Sequence, residues 1–152
     1  AVLFRIASQL GVLCNGGDQS HFERMGTFGD HFGMAFQIMD DVLDFIGSSD
    51  KMGKPSCKDI REKKLTLPLI HVMERDDNEF SVLIRRGLDK GFNEDEIDHI
   101  QNKVVSDGGI EYAVNRAGFY AQSAVDLLSV YPDNEIRQTM EKLVSSSTKR
   151  EK

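Results

Sequence analysis

Three aspartates within five positions are the residues most suited to chemistry in this chain. Asp40, Asp41 and Asp44 interrupt a segment that is otherwise rich in Phe, Ile, Met, Val and Leu. Because burying an unpaired carboxylate costs several kcal/mol, such a cluster needs cations or hydrogen-bond donors. Hard divalent ions suit it, above all Mg²⁺, which takes few carboxylates and shares its shell with water and substrate phosphate. The aspartates therefore predict a site where a metal ion holds a phosphate-containing substrate.

If this segment is helical, the three aspartates and Gln37 lie on one narrow stripe. At about 100° per residue, the four side chains share an arc of about 100°. Apolar side chains take the remaining circumference: Ala35, Ile38, Met39, Val42, Leu43 and Ile46. An ordinary surface helix has a broad polar face. The narrow stripe therefore favours a helix that packs on most sides and turns its carboxylates toward a lined cavity, although a stripe that simply faces water stays open as the alternative.

A cationic segment follows the aspartates and could neutralise the outer oxygens of a polyphosphate. Residues 50–64 contain three acidic side chains and six basic ones, so their net charge is +3 in a chain of net charge −6. The basic residues are Lys51, Lys54, Lys58, Arg61, Lys63 and Lys64. Lysine serves phosphate as a point charge, and Gly53 beside Lys54 allows a close backbone approach. A solvated basic loop is the alternative interpretation.

Helices must position these residues, because apolar side chains recur at helical spacing along nearly the whole chain. A first helix is predicted to end before Gly16, and a second to run from about His21 to Phe45 or Ile46. Residues 47–59 predict a loop by their Gly, Ser and Pro content. Asn93 and Glu96 have the spacing of a capping box. No convincing alternating strand is seen, so we expect a single all-α domain over residues 1–152, or part of one.

Composition excludes several other classes of protein. The 25 acidic and 19 basic residues argue against a nucleic-acid binder, whose footprint would be basic. The two cysteines, Cys14 and Cys57, give neither a disulfide framework nor metal-ligand spacing, which favours a reduced, cytoplasmic setting. No apolar run approaches the roughly 20 residues of a membrane span, and no signal-peptide pattern is visible. Helical periodicity begins at the first residue without a capping residue before it, so we expect either a fragment of a longer protein or a nicked protein.

The segment GMAFQIMDDVLDFIGSSDKMGKPSCKDIREKKLTLPLI resembles the second aspartate-rich region of trans-isoprenyl diphosphate synthases, the polyprenyl synthetase family. The family pattern is F-Q-x-x-D-D-x-x-D, a short loop, G-K-P, D-[IL], and a Lys before T-L-P. More weakly, LFRIASQLGVL resembles the helix after the family's Lys-Thr pair, and GGIEYAVNRAGFYAQSAVDLL resembles its C-terminal region. The chain departs from the pattern at Cys57 and Lys63, where the family commonly has Gly.

The resemblance implies the C-terminal portion of an isoprenoid-synthase-type helical bundle with a central cavity, usually in a homodimer. It implies Mg²⁺-dependent, head-to-tail addition of isopentenyl diphosphate to an allylic diphosphate, with peripheral membrane contact for long products. Residue by residue, it implies metal ligation by Asp40, Asp41 and Asp44. Gln37, Lys54 and Lys64 match residues that contact the allylic diphosphate. Asp40, as a metal ligand, and Lys54, as a diphosphate contact, are the predicted catalytic residues.

The first aspartate-rich motif and the isopentenyl diphosphate site of the family belong to its N-terminal half, which this sequence does not contain. We therefore expect the chain by itself to be inactive, since it carries only one wall of the site. Two alternatives stay open. The chain could be a non-catalytic regulatory subunit of a heteromeric prenyltransferase, or a class I terpene cyclase, against which the G-K-P segment argues.

Overall fold

The computed structural model describes residues 1–47, 57–75 and 79–148, and in these ranges the protein is all-α, as predicted. Within the described ranges the structure has eight helices: α1 Val2–Cys14, α2 Gln19–Ile46, α3 Lys58–Arg61, α4 Leu67–Met73, α5 Glu79–Lys90, α6 Glu94–Ser106, α7 Gly109–Leu128 and α8 Glu135–Thr148. None of the helices in the described ranges combines the length and the apolar character that a membrane span requires.

Local capping residues account for the starts of α2 and α6. Asp18 Oδ1 accepts the backbone N–H of His21 at 2.9 Å and caps α2. Asn93 and Glu96 form the predicted capping box at the start of α6. One prediction was wrong: the loop expected over residues 47–59 does not continue to its end, because Lys58 and Asp59 begin the short helix α3.

The described residues divide into two compact units. Unit 1 comprises Ala1–Met39 and Asn115–Lys152. Its core consists of buried side chains from α2, α7 and α8: Phe28, Phe32, Ala35, Ala121, Ala124, Leu128 and Val144. Helix α1 approaches α2 closely, since a Cβ atom added at Gly29 would lie 2.5 Å from the Phe4 carbonyl oxygen. The apolar stripe of α1 is exposed rather than buried, with side chains at Val2, Leu3, Ile6, Leu10 and Leu13.

Unit 2 comprises Asp40–Val114 and contains the aspartates and Lys64. Its core gathers buried side chains from the end of α2 and from α3 to α6: Phe45, Cys57, Ile60, Leu69, Val72, Phe80, Ile84, Ile97, Ile100 and Val104. Gln101 Nε2 on α6 donates to the Phe45 carbonyl oxygen at 2.5 Å, which satisfies one of the open carbonyls in the last turn of α2. The core and this bond hold the aspartate-bearing end of α2 in place.

Candidate active site

Gln37 and all three aspartates lie on helix α2, along a stretch of about 10 Å of the helix axis. Gln37 and Asp40 are exposed, whereas Asp41 and Asp44 are half-buried. The side chains around them are buried: Ala35, Ile38, Met39, Val42 and Phe45. The helix thus has the narrow polar stripe that the periodicity predicts, on which Asp40 is exposed and Asp41 and Asp44 are partly exposed.

Asp44 is tied to the start of α3. Its carboxylate accepts the backbone N–H of Lys58 at 3.0 Å through Oδ1 and that of Asp59 at 3.1 Å through Oδ2. Its own carbonyl oxygen accepts the N–H of Cys57 at 3.0 Å. Burial raises the pKa of the Asp44 carboxyl above its usual value, and the two backbone N–H groups offset part of that rise. Local sequence patterns do not indicate these contacts, since they join positions 13 to 15 residues apart.

Lys64 lies at the end of the turn that follows α3. Its Nζ atom is 2.7 Å from Glu62 Oε2 and 3.0 Å from Asp59 Oδ1. These two carboxylates raise the pKa of Lys64, whose side chain is 56% exposed. The backbone N–H of Lys64 also donates to the Asp59 carbonyl oxygen at 2.8 Å. Lys64 is therefore a charged, accessible donor held by residues of its own turn.

The two departures from the family pattern share one backbone conformation. Cys57 has φ 58° and Lys63 has φ 61°, so both residues are left-handed. This conformation costs an ordinary L-residue about 1–2 kcal/mol, whereas glycine adopts it readily. The turn from Cys57 to Lys63 thus needs a left-handed residue at each end, which explains why glycine suits both positions. Sequence reasoning noted the departures but could not assign this cause.

The other described cations of the basic segment also have acceptors within unit 2. Arg61 binds Glu94 through two bonds, at 2.5 Å and 2.7 Å. Lys63 Nζ donates to the Asp89 carbonyl oxygen at 2.9 Å, and Lys58 Nζ lies 3.4 Å from Glu62 Oε1. The net charge of +3 is therefore compensated in part by groups outside the segment. Lys51 and Lys54 lie outside the described residues, so the role predicted for Lys54 stays a prediction.

The described residues contain no group of three or more His, Cys, Asp or Glu side chains that could enclose a metal ion. The available donors are the carboxylates of Asp40 and Asp41 on adjacent positions of α2, with Asp44 one turn further on. Such a set fits an ion that takes one or two carboxylates and completes its shell with water and phosphate oxygens, as Mg²⁺ does. It does not fit an ion that requires a closed cage of protein ligands.

An apolar groove of about 650 Å³ lies within unit 1, between the last turns of α1 and the start of α8. Its lining includes Gly11, His21, Tyr131 and Met140, and none of the predicted site residues. The groove is therefore distinct from the cavity that the aspartate stripe predicts.

The described residues define an all-α protein that carries the carboxylates of Asp40 and Asp41 and the lysine-bearing turn of Lys64 in one unit. The comparisons place it more narrowly. The family model described as Polyprenyl synthetase matches residues 1–104, and the chain belongs to that family. All the residues assigned to the site fall inside this match.

Similar proteins and solved structures support membership of this family. The octaprenyl diphosphate synthase of Haemophilus influenzae is 33% identical over 150 residues, which are 99% of this chain and 46% of the relative. Heptaprenyl diphosphate synthase of Staphylococcus aureus has a similar structure, with a TM-score of 0.89 at 26% identity over 99% of this chain and 46% of that one. A polyprenyl synthase of Caulobacter crescentus, solved with calcium and isoprenyl diphosphate, has a TM-score of 0.86 at 29% identity over 97% and 45%. The chain spans about half the length of the relatives it matches.

Proposed function

We propose that this chain supplies the second aspartate-rich wall of a polyprenyl diphosphate synthase, a transferase that adds isopentenyl diphosphate to an allylic diphosphate. The observation that carries the proposal is the accessible Asp40–Asp41 pair on α2, inside the segment that matches the polyprenyl synthetase family. Its unit also holds Lys64 as a charged donor. Together they match the two needs of a bound diphosphate, which are metal ligands and compensating cations.

In this proposal Asp40 and Asp41 hold Mg²⁺, and Gln37, Lys54 and Lys64 contact the allylic diphosphate. When bound, the metal ion would neutralise part of the negative charge that develops on the departing pyrophosphate. Lys64 supplies a positive charge, since a lysine side chain is protonated at neutral pH and the neighbouring carboxylates of Glu62 and Asp59 raise its pKa further. The amide of Gln37 can donate a hydrogen bond without adding charge. A solved relative was complexed with calcium and isoprenyl diphosphate, which supports the binding of a divalent metal ion and a diphosphate in this proposal.

The same features weigh on the two alternatives. The named relatives are prenyl diphosphate synthases, which favours a synthase over a terpene cyclase. A purely regulatory subunit has no need of accessible carboxylates at Asp40 and Asp41, so their presence favours a catalytic role. A homodimer, which the resemblance implies, and a cytoplasmic location, which the two cysteines favour, stay predictions.

The proposal is tested first by binding. Isothermal titration calorimetry measures the affinity of the chain for geranyl diphosphate with Mg²⁺ present and with Mg²⁺ replaced by EDTA. We expect Mg²⁺-dependent binding that Asp40→Asn weakens about tenfold or more, because the substitution removes the negative charge of a carboxylate that ligates the metal ion. Asp126→Asn is the matched control, since Asp126 is an exposed aspartate of α7 that accepts from Gln122.

Activity is tested in a protein of full family length. This chain replaces the aligned segment of the Haemophilus influenzae relative, and incorporation of radiolabelled isopentenyl diphosphate is measured. We expect turnover from the segment-swap protein and none from the chain alone. A folded segment-swap protein that makes no product, or one that Asp40→Asn leaves fully active, would overturn the proposal.

A further inference from the structure

We infer that Asp44 is a positioning residue, which holds the turn of residues 57–64 against α2 and thereby fixes Lys64 relative to Asp40 and Asp41. This role rests on the proposed function only in its last step, the use of Lys64 by a diphosphate. It differs from the metal-ligand role that the resemblance implies for Asp44.

The first step is the geometry of the anchor. Three successive backbone N–H groups, those of Cys57, Lys58 and Asp59, all donate to Asp44. The first binds the carbonyl oxygen and the other two bind one carboxylate oxygen each, at 3.0 Å and 3.1 Å. Backbone N–H bonds to a carboxylate are charge-assisted and roughly twice as strong as neutral ones. Asp44 thus binds the first turn of α3 at three points.

The second step is the path from this anchor to Lys64. Asp59 is bound to Asp44 through its N–H, and it binds Lys64 through both its carbonyl oxygen and its carboxylate. The side chain of Ile60 in the same turn is 1% exposed, which fixes the turn in the core of unit 2. A displacement at Asp44 is therefore transmitted to Lys64 through Asp59.

Asp44 and Asp40 differ in exposure, and it is Asp44 that accepts the backbone N–H groups of residues 58 and 59. Both carboxylate oxygens of Asp44 already accept backbone N–H groups at good distance, and the side chain is half-buried. Asp40 is exposed, one turn earlier on the same helix. Removing the Asp44 carboxylate would leave two backbone N–H groups without their acceptor, whereas removing the Asp40 carboxylate leaves the anchor intact.

Hydrogen exchange of the chain, resolved by residue, tests the anchor without any ligand. In Asp44→Ala we expect the amides of Lys58 and Asp59 to exchange about tenfold faster or more, since a charge-assisted bond is lost at each. Asp44→Asn keeps one acceptor oxygen, so exchange at residues 58 and 59 should rise by less than in Asp44→Ala. This milder variant still tests the anchor if the alanine variant does not fold. Asp18→Ala is the matched control: it removes a capping carboxylate from His21 and should leave residues 58 and 59 unchanged.

A double-mutant cycle tests the link to Lys64. Asp44→Ala and Lys64→Met are made singly and together, and geranyl diphosphate affinity is measured in Mg²⁺. We expect each to weaken binding and the pair to weaken it little more than Lys64→Met alone, because both act through the same ammonium group. The affinity for Mg²⁺ alone should be unchanged by Asp44→Asn and lowered by Asp40→Asn.

The outcomes separate this inference from the proposed function. Unchanged exchange at Lys58 and Asp59 in Asp44→Ala would overturn the anchor. Additive effects in the cycle, or a loss of Mg²⁺ affinity in Asp44→Asn equal to that in Asp40→Asn, would overturn the positioning role. If no variant and no parent chain binds geranyl diphosphate, the proposed function fails while hydrogen exchange still decides the anchor.

Discussion

The ammonium group of Lys64 lies 2.7 Å from the carboxylate of Glu62. Both side chains are exposed to solvent, so the pair is held in place mainly by the turn that joins them. A diphosphate that binds Lys64 must therefore compete with a carboxylate of the chain itself. Glu62 sets the resting state of a residue that the proposed function assigns to substrate.

Removing this competitor should tighten diphosphate binding. In Glu62→Gln we expect the affinity for geranyl diphosphate in Mg²⁺ to rise by a small factor, about fivefold at most, because an exposed carboxylate no longer competes for the Lys64 ammonium group. Isothermal titration calorimetry measures the change. Glu141→Gln, which disrupts an ion pair with Arg137 in α8, is the control and should leave the affinity unchanged. An affinity that falls in Glu62→Gln would contradict the competition.

The pair should also be visible in the titration of Glu62. Lys64, and then Lys58, lower the pKa of Glu62 below its usual value of 4.5. A carboxyl group with a lowered folded-state pKa stabilises the fold above its unfolded pKa, and that stabilisation is lost as the pH falls through the folded pKa. We expect the Glu62 side-chain carboxyl resonance to titrate with a midpoint below 4.5, and Lys64→Met to move this midpoint upward. A midpoint that Lys64→Met does not move would show that the pair is absent in solution.

The protein should be more stable with glycine in place of Lys63. Its φ of 61° is left-handed, so Lys63→Gly relieves backbone strain at the loss of one exposed bond to the Asp89 carbonyl oxygen. We expect the free energy of unfolding to rise by about 0.5–1 kcal/mol, the balance of relieved strain and added unfolded-state entropy. Urea unfolding measures it. Lys90→Gly, at the right-handed end of α5, is the control and should lower stability, since glycine disfavours a helix. A free energy of unfolding that falls equally in Lys63→Gly and Lys90→Gly would contradict backbone strain at Lys63.

Gly29 should be intolerant of a methyl group, because α1 lies directly against it. A Cβ atom there would meet the Phe4 carbonyl oxygen at 2.5 Å and the Arg5 Cα atom at 2.6 Å, and backbone atoms cannot rotate away. We expect Gly29→Ala to lower the free energy of unfolding by about 1–3 kcal/mol.

Gly118 offers the matched control for Gly29. It lies inside α7, and a Cβ atom there would meet nothing within 4 Å. Gly118→Ala should therefore raise stability by about 0.5–1 kcal/mol through helix propensity alone. Thermal unfolding of both variants measures the contrast. A Gly29→Ala protein as stable as the parent would contradict the close approach of α1.

Much of the fold could be predicted from local patterns. The helical stripe around Asp40, the stop of α1 before Gly16 and the capping box of Asn93 and Glu96 all depend on residues within one or two turns of each other. The motif around the aspartates was specific enough to indicate the polyprenyl synthetase family, which the family model confirms. Periodicity alone does not show whether an apolar stripe is buried, since the stripe of α1 includes Leu3, which is 81% exposed.

The sequence by itself determined that the fold is all-α, which carboxylates share a face of α2, and which family the chain belongs to. Only the tertiary structure decided the partners of those residues. Asp44 meets the N–H groups of Lys58 and Asp59, Gln101 meets the Phe45 carbonyl oxygen, and Arg61 meets Glu94, over separations of 14 to 56 residues. Propensity, capping and periodicity act within a few residues. A partner far along the chain depends on how the helices pack, which no local pattern encodes.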